Sequence, residues 1–359
     1  VGSGEPRIDF SSDAKGALLL EPMRSNLVTY SQSYTSGWSF DDSTITENIT
    51  ISPDGSLNGG LLKGNTVSSR HNISVAIGVG VVTASFSLFV KAKELKFLQI
   101  ASGNTINQYV NFDAQNGIIG TVGSNFSNAK IEDYGNGWYR ISVVSANQYN
   151  GFLISLVSGL TATWLESWVM PNNTDGLYIY GAQLEQGSYA TSYIPTQGSV
   201  VTRVKDLCVN TVPENIVNED EMTLYCEFEY LGGGDTIPIS VHNGGGSVIW
   251  LAINNNFTIY GANFYSSVFN GSSTSTTVLL PNTKYKVAYR TKSGNSALYI
   301  DGILEASSND VISNPNTLNK VELGSFWNGT NQNPNLKIID AKCYNSGLSN
   351  AELQALTTI

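Results

Sequence analysis

The sequence predicts an all-β chain: two β-sandwich domains in tandem, closed by one short C-terminal helix. Three observations carry this. Short stretches alternate apolar and polar residues at a period of two; in Ala84-Ser-Phe-Ser-Leu-Phe-Val-Lys, Phe86, Leu88 and Val90 share one face, and Ser85, Ser87 and Lys91 the other. Turn signals punctuate them, among them Pro53-Asp54-Gly55, Asn116-Gly117, Asn136-Gly137 and Asp301-Gly302. The composition is 13% charged and 41% hydrophobic with 35 glycines, and no long A/E/K/L/R-rich run announces a helical bundle. A chain of 359 residues has room for about two such domains.

Taken in order, residues 1–16 read as a lead-in or linker, and Val1-Gly-Ser-Gly as the truncation edge of a longer protein. The first sandwich is expected over residues 17–204, with strands near 43–52, 84–91, 95–101, 108–113, 137–146 and 177–185. Residues 205–220, polar and containing Pro213, read as a connection in which Leu207 and Val209 still have the pattern of a strand. The second sandwich is expected over 221–359. Met222-Thr-Leu-Tyr-Cys-Glu-Phe-Glu-Tyr alternates over nine residues, and a hairpin forms around Ser293-Gly294-Asn295. Ser349 with Glu352 three residues on makes a capping box for the terminal helix, with Leu348 and Leu353 placed as its staple.

The balance of 19 basic against 29 acidic side chains gives a net charge of −10 with no basic cluster. Nucleic acid and anionic membrane are therefore not expected as partners, because phosphate binding needs concentrated Lys and Arg. No signal peptide and no apolar run long enough for membrane insertion is read in these residues, and membrane insertion is not expected. Cys208, Cys226 and Cys343 show no zinc spacing and read as small buried hydrophobes; a Cys208–Cys226 disulfide stays open. The Asn-x-Ser/Thr triplets at Asn48, Asn72 and Asn270 arise readily in so Asn- and Ser-rich a chain, and no glycosylation is inferred.

Four stretches of the first half stand out: Ala17-Leu-Leu-Leu-Glu-Pro-Met-Arg-Ser-Asn-Leu-Val-Thr-Tyr-Ser, Ile51-Ser-Pro-Asp-Gly, Tyr134-Gly-Asn-Gly-Trp-Tyr-Arg and Tyr180-Gly-Ala-Gln-Leu-Glu-Gln-Gly-Ser-Tyr-Ala-Thr-Ser-Tyr-Ile-Pro-Thr. With Pro6-Arg-Ile-Asp-Phe ahead of them, they resemble the carbohydrate-binding-like jelly rolls of tailed-phage and prophage structural proteins. The second half, through Tyr285-Lys-Val-Ala-Tyr-Arg, Leu298-Tyr-Ile-Asp-Gly, Val321-Glu-Leu-Gly-Ser and residues 336–353, resembles a laminin-G or concanavalin A-like jelly roll. These resemblances imply a phage tail fibre or other virion appendage, a homo-oligomer such as a trimer, and contact with other virion proteins. They imply action outside the cell on bacterial surface polysaccharide. They also make Ca²⁺ the cofactor to look for; Asp235, Asp301 and Asp310 are the candidate ligands, although no compact Asp-rich loop gathers them, and Asp41, Asp42 and Glu21 are similarly weak.

Catalytic chemistry is poorly represented. Glycan hydrolysis needs an acid and a base, often two carboxylates. Glu227 and Glu229 share a strand face but read better as solvated residues. The two histidines, His71 and His242, fit no metal motif, and His242 reads as exposed in a Gly-rich loop. Gly232-Gly-Gly and Gly244-Gly-Gly read as hairpin turns rather than phosphate loops. Glycan binding asks for less: aromatic rings to stack on sugars, and amides, carboxylates or Arg for the hydroxyls. The candidates are Trp38 in a loop-like stretch, Arg70 and His71 at a polar cleft, and Trp164 and Trp168 as a platform on one strand face. Tyr178 and Tyr180 on another strand, and Trp327 with Asn328 in a polar loop, complete them. For each the competing reading is a core role, as expected for Trp138, Tyr139 and Trp250. Non-catalytic glycan binding leads; a structural or decoration module whose aromatics form subunit interfaces is the alternative, and a depolymerase fragment is third.

Overall fold

The computed structural model describes residues 6–11, 14–78, 82–102, 108–148, 151–211, 221–265, 268–312, 318–325 and 335–359. In chain order the strands are β1 (Ile8–Asp9), β2 (Ala17–Leu20), β3 (Arg24–Asn26), β4 (Trp38–Asp41), β5 (Ser43–Ile51), β6 (Leu57–Gly64), β7 (His71–Val75), β8 (Val82–Ala92), β9 (Phe97–Ser102), β10 (Tyr109–Asp113), β11 (Ile118–Val122), β12 (Phe126–Asp133), β13 (Trp138–Gln148), β14 (Phe152–Leu156) and β15 (Gly176–Gln186). They continue as β16 (Val201–Arg203), β17 (Cys208–Thr211), β18 (Glu221–Tyr230), β19 (Thr236–His242), β20 (Val248–Ile253), β21 (Thr258–Tyr265), β22 (Val268–Val278), β23 (Thr283–Lys292), β24 (Ser296–Ile300), β25 (Ile303–Ser308), β26 (Lys320–Leu323) and β27 (Leu336–Tyr344), followed by the helix α1 (Asn350–Thr357). The expected fold class is what forms: antiparallel sheets in two sandwiches and one short helix.

One unit comprises residues 24–203. Its two six-stranded sheets run β12-β13-β8-β15-β6-β5 and β11-β10-β9-β14-β7-β4. The period-two pattern decides which side chains meet between them. Phe86, Leu88 and Val90 of β8 meet Leu98 and Ile100 of β9, Val110 and Phe112 of β10, and Phe152 and Ile154 of β14 in one core. β3 and β16, at the two ends of the unit's chain, pair antiparallel from Arg24↔Arg203 to Asn26↔Val201.

The other unit joins residues 1–23 to 204–359. A seven-stranded sheet runs β1-β2-β27-β18-β23-β24-β25, and a six-stranded sheet β17-β26-β19-β20-β21-β22. This moves the expected domain boundary. Residues 17–20 do not open the first sandwich; Leu18 and Leu20 pair with Ile338 and Leu336 of β27, and Leu20 is buried in the second core. The stretch read as a lead-in contributes β1, and Arg7 forms ion pairs with Glu21 and Asp206. Within the stretch read as a connection, Cys208–Thr211 is a strand opposite Lys320–Leu323. The first sandwich is thus an insertion, in sequence, between two strands of the second.

Local signals explain the remaining elements. Asp301 and Gly302 both take positive φ (49° and 80°), the two-residue turn that matches strand twist between β24 and β25. Gly244–Gly246 link the paired strands β19 and β20, but Gly232 and Gly233 lie where the chain crosses from one sheet to the other, so the hairpin expected there is not formed. Ser349 and Glu352 form the capping box, and Leu348 and Leu353 pack with Tyr225 and Tyr299 on the outer side of the seven-stranded sheet. All three cysteines are free: Cys208 faces Leu323 in one sheet and Cys226 faces Ala341 in the other.

Because Leu20 is fully enclosed, Leu20→Ala should lower the unfolding free energy of the 1–23/204–359 unit by about 2–4 kcal/mol in urea titration. An unchanged midpoint would return residues 1–23 to the status of a linker.

Candidate functional site

Sheet β12-β13-β8-β15-β6-β5 has two faces, and its outer one carries aromatic rings where a solvated sheet would carry polar residues. Phe89, Trp138 and Tyr180 form a small cluster of their own there, with Tyr178 and Tyr193 packed against it. The register places them in rows. Trp138, Lys91, Tyr178 and Leu61 stand directly across β13, β8, β15 and β6. Arg140, Phe89 and Tyr180 form the next row. Directly opposed residues lie about 5 Å apart at Cβ, so each row is a continuous strip.

Residues 187–197 cross part of this face as a strap, held by buried polar side chains. Gln183 Nε2 donates to the Thr191 and Ser192 carbonyls (3.2 and 3.3 Å), and the Ile194 amide donates to Gln183 Oε1 (2.6 Å). Glu185 accepts from the Thr191 amide at 2.8 Å and from its hydroxyl. Arg140 Nη2 donates to the Thr191 carbonyl (2.5 Å) and to Ser87 Oγ (3.0 Å). Asn26 Nδ2 donates to the Ala182 and Ile194 carbonyls, while its Oδ1 accepts from the amides of Val28 and Leu184.

The other half of the face stays open. Tyr134, in the turn before β13, is 48% exposed and stands edge-on to Phe89 at 5.0 Å between centroids. Tyr178 is half-buried. The polar rim comes from the turn after β5. Asp54 accepts from the Tyr180 hydroxyl (2.6 Å), Ser52 Oγ (2.8 Å), the Ser56 amide (2.7 Å) and Asn58 Nδ2 (3.1 Å), and Gln32 Nε2 donates to Tyr180 Oη (2.9 Å). Burial works against the Asp54 charge, but these hydrogen bonds outweigh it and hold the carboxyl well below the usual carboxylate range. Burial, and then Asp54, push the Tyr180 phenol up to about 12. The result is a surface on which the rings of Tyr134 and Tyr178 reach solvent above the buried Phe89, Trp138 and Tyr180, beside a fixed carboxylate and two amides.

The sequence-derived candidates distribute unevenly about this surface. Tyr178 and Tyr180 both lie on it, but only Tyr178 reaches solvent; the Tyr180 ring is buried and its hydroxyl is taken up by Asp54 and Gln32. Trp38 does not: it is buried on β4 against Tyr34 and donates to the Tyr30 carbonyl at 3.1 Å. His71 lines no cleft. It is fully buried, with Nδ1 2.9 Å from the Asp42 carbonyl and Nε2 3.1 Å from the Trp168 carbonyl. Arg70 is exposed and pairs with Asp41 at 3.3 Å. Trp164 and Trp168 share no strand; the segment is irregular, with Leu165 at φ 44°, so the platform is not built. Trp168 donates to the Leu156 carbonyl (3.0 Å) and packs on the core, while Trp164 is half-buried. That segment closes the outer side of the other sheet, where Asn111 Nδ2 donates to the Leu160 and Ala162 carbonyls, Gln99 Nε2 donates to the Thr163 carbonyl, and Gln99 Oε1 accepts the Leu165 amide. Trp327 and Asn328 lie outside the described residues.

Among the described residues, no group of three or more His, Cys, Asp or Glu side chains forms a metal site. Asp301 accepts the Lys286 amide (2.8 Å), Asp235 accepts Asn255 Nδ2 (2.9 Å), and the Asp310 amide donates to Ser308 Oγ (3.0 Å), so the candidate calcium ligands are dispersed. Glu229 is not solvated as expected: it is buried and 3.4 Å from Lys337 Nζ, and Glu227 accepts from Tyr225 at 3.3 Å. His242 is likewise buried, at the end of β19, with Nε2 3.2 Å from Glu322. Trp138 is buried as expected, but on the outer face rather than in the main core, and Trp250 lies in a separate outer cluster of the second unit. The residues that sequence reading missed are Phe89, Lys91, Tyr134 and Asp54. Phe89 gave a signal, because it occupies an outward position in a strand otherwise apolar only inward.

No protein-family model matches the chain, and neither does any curated protein sequence. Among solved structures, the CBM40 module of the Ruminococcus gnavus IT-sialidase, bound to α2,3-sialyllactose, aligns at 18% identity and TM-score 0.33 over 40% of this chain and 84% of its own. Domains LG4-5 of the mouse laminin α1 chain align at 10% identity and TM-score 0.29 over 89% and 91%. Trypanosoma rangeli sialidase in complex with sialic acid aligns at 13% identity and TM-score 0.33 over 83% and 60%. Likenesses this distant do not fix a ligand.

The Asp54 rim has a pH signature. Its folded-state pKa lies below the unfolded value near ~3.9, so its contribution to stability is complete above about pH 4 and is lost as pH falls further. Asp54→Asn should lower the melting temperature at pH 7 and flatten the acid limb of the stability curve below about pH 4. An acid limb unchanged from wild type would contradict this role.

Proposed function

We propose that the 24–203 sandwich binds a cell-surface glycan without covalent change, on the open aromatic half of its strapped sheet. The observation that supports this best is the pair of partly exposed rings, Tyr134 and Tyr178, set in a strip of aromatics beside the Asp54–Tyr180–Asn58 rim. Sugar rings offer apolar faces to such rings, and their hydroxyls can pair with the carboxylate and amides. The surface is shallow, so a single copy would bind weakly and several copies would gain by avidity. The setting proposed follows the sequence resemblance: a tailed-phage tail fibre or other virion appendage, trimeric and extracellular, attaching to bacterial surface polysaccharide. In this reading the chain is not an enzyme, and neither sandwich acts as a depolymerase.

A second reading, a subunit interface, is favoured by Ile49, Ile51 and Leu57, which stand exposed on the adjoining β5–β6 edge.

Glycan-array screening, with calcium and again with chelator, followed by titration calorimetry on the strongest hit, separates the two readings. Tyr134→Ala and Tyr178→Ala should each weaken binding roughly three- to tenfold while leaving the melting temperature near that of wild type. Array binding indifferent to both substitutions would remove this surface from the account. Absence of binding together with self-association lost on Ile51→Asp would favour the interface.

A further inference from the structure

Lysines flank the rings of the proposed surface, and two of them have no counter-charge among the described residues. Lys91 stands in the central row between Trp138 and Tyr178. Lys63 follows Leu61 at the next outward position of β6, opposite Gly176 and therefore diagonal to Tyr178. Both are half-buried, and among the described residues neither makes an ion pair or hydrogen bond. The neighbouring Lys93, by contrast, is paired with Glu94. On a chain of net charge −10, acidic partners are plentiful, yet these two ammonium groups have none. The Gly135–Gly137 turn lies along the Lys91 stem: a Cβ at Gly137 would stand 3.5 Å from Lys91 Cε. Burial of the stems fixes where the two ammonium heads emerge, and an anionic acceptor is the partner that binds such a head most strongly.

We infer that this surface takes an acidic saccharide, one whose anionic substituent lies between Lys91 and Lys63 while its ring packs on Tyr178. The inference rests on the glycan-binding reading and names the ligand class within it. A neutral sugar would gain the ring contact and leave both cations unpaired. The acidic sugar satisfies all three groups at once, so selectivity comes from charge and adhesion from the rings.

The test is calorimetry on the intact chain with three probes: a uronic-acid oligosaccharide, the same oligosaccharide after carboxyl reduction, and a glycan whose anion is a phosphodiester. Wild type should bind at least one acidic probe about tenfold more tightly than the neutral one, and which acidic probe binds tells carboxylate from phosphate. That ratio should shrink in about 1 M salt, where charge is screened within ~3 Å. It should fall toward one in Lys91→Gln and in Lys63→Gln, with circular dichroism confirming that both variants fold. Equal affinity for acidic and neutral probes, or a ratio that survives both substitutions, overturns the acidic-ligand inference and leaves the glycan surface standing. Failure of all three probes, with the array also blank, overturns both.

Discussion

The strap over sheet β12-β13-β8-β15-β6-β5 depends on a small set of buried polar side chains, and the site depends on the strap. Asn26, Arg140, Gln183 and Glu185 are almost fully enclosed, and each hydrogen-bonds the backbone or a hydroxyl within residues 182–194. Removing one partner would leave a buried donor or acceptor unmet, which costs more than an average hydrogen bond contributes. A fully partnered network of this kind fixes one conformation. It brings Tyr193 beside Phe89 and Tyr180, and so sets where the covered half of the sheet ends and the open half begins.

The same logic separates the outer faces of the two sheets of the 24–203 unit. The outer side of β11-β10-β9-β14-β7-β4 carries Gln99, Asn111 and Ser155, a composition that reads as glycan-binding on paper. Residues 160–165 occupy those amides, and His71 and Trp168 anchor the end of the segment through backbone carbonyls. The opposite sheet has its polar positions occupied by the strap and its aromatic positions left partly open. Availability, rather than residue type, decides between them.

The sequence made the strands legible because a period of two survives in nearly every one, and the terminal helix because its cap is local. It did not disclose that residues 8–20 belong to the second sandwich. Alternation says that Leu18 and Leu20 face an interior, not whose interior it is, and their partners Ile338 and Leu336 lie more than 300 residues away. Trp38 and His71 were misread for a related reason: each sits in a polar stretch, yet is enclosed by partners distant in sequence, as when His71 meets the Trp168 carbonyl; Trp164 and Trp168 were read as one strand face where the backbone is irregular. That Tyr178 and Tyr180 share a face was legible because one strand supplies both; that Tyr180 is buried there was not. Tyr134 precedes a Gly-Asn-Gly turn, but only the structure reveals Phe89 beneath it, and only the register sets Lys91 beside Trp138.

Hydrogen–deuterium exchange on the intact chain, with and without a saturating acidic oligosaccharide, addresses the central claim most directly, since it reports on every face at once. Protection confined to the backbone around Ser52–Asn58, Phe89–Lys93, Tyr134–Trp138 and Gly176–Tyr180 is the predicted result. Protection centred on residues 158–168 or within 204–359, with those four segments unchanged, would contradict it and place the ligand elsewhere.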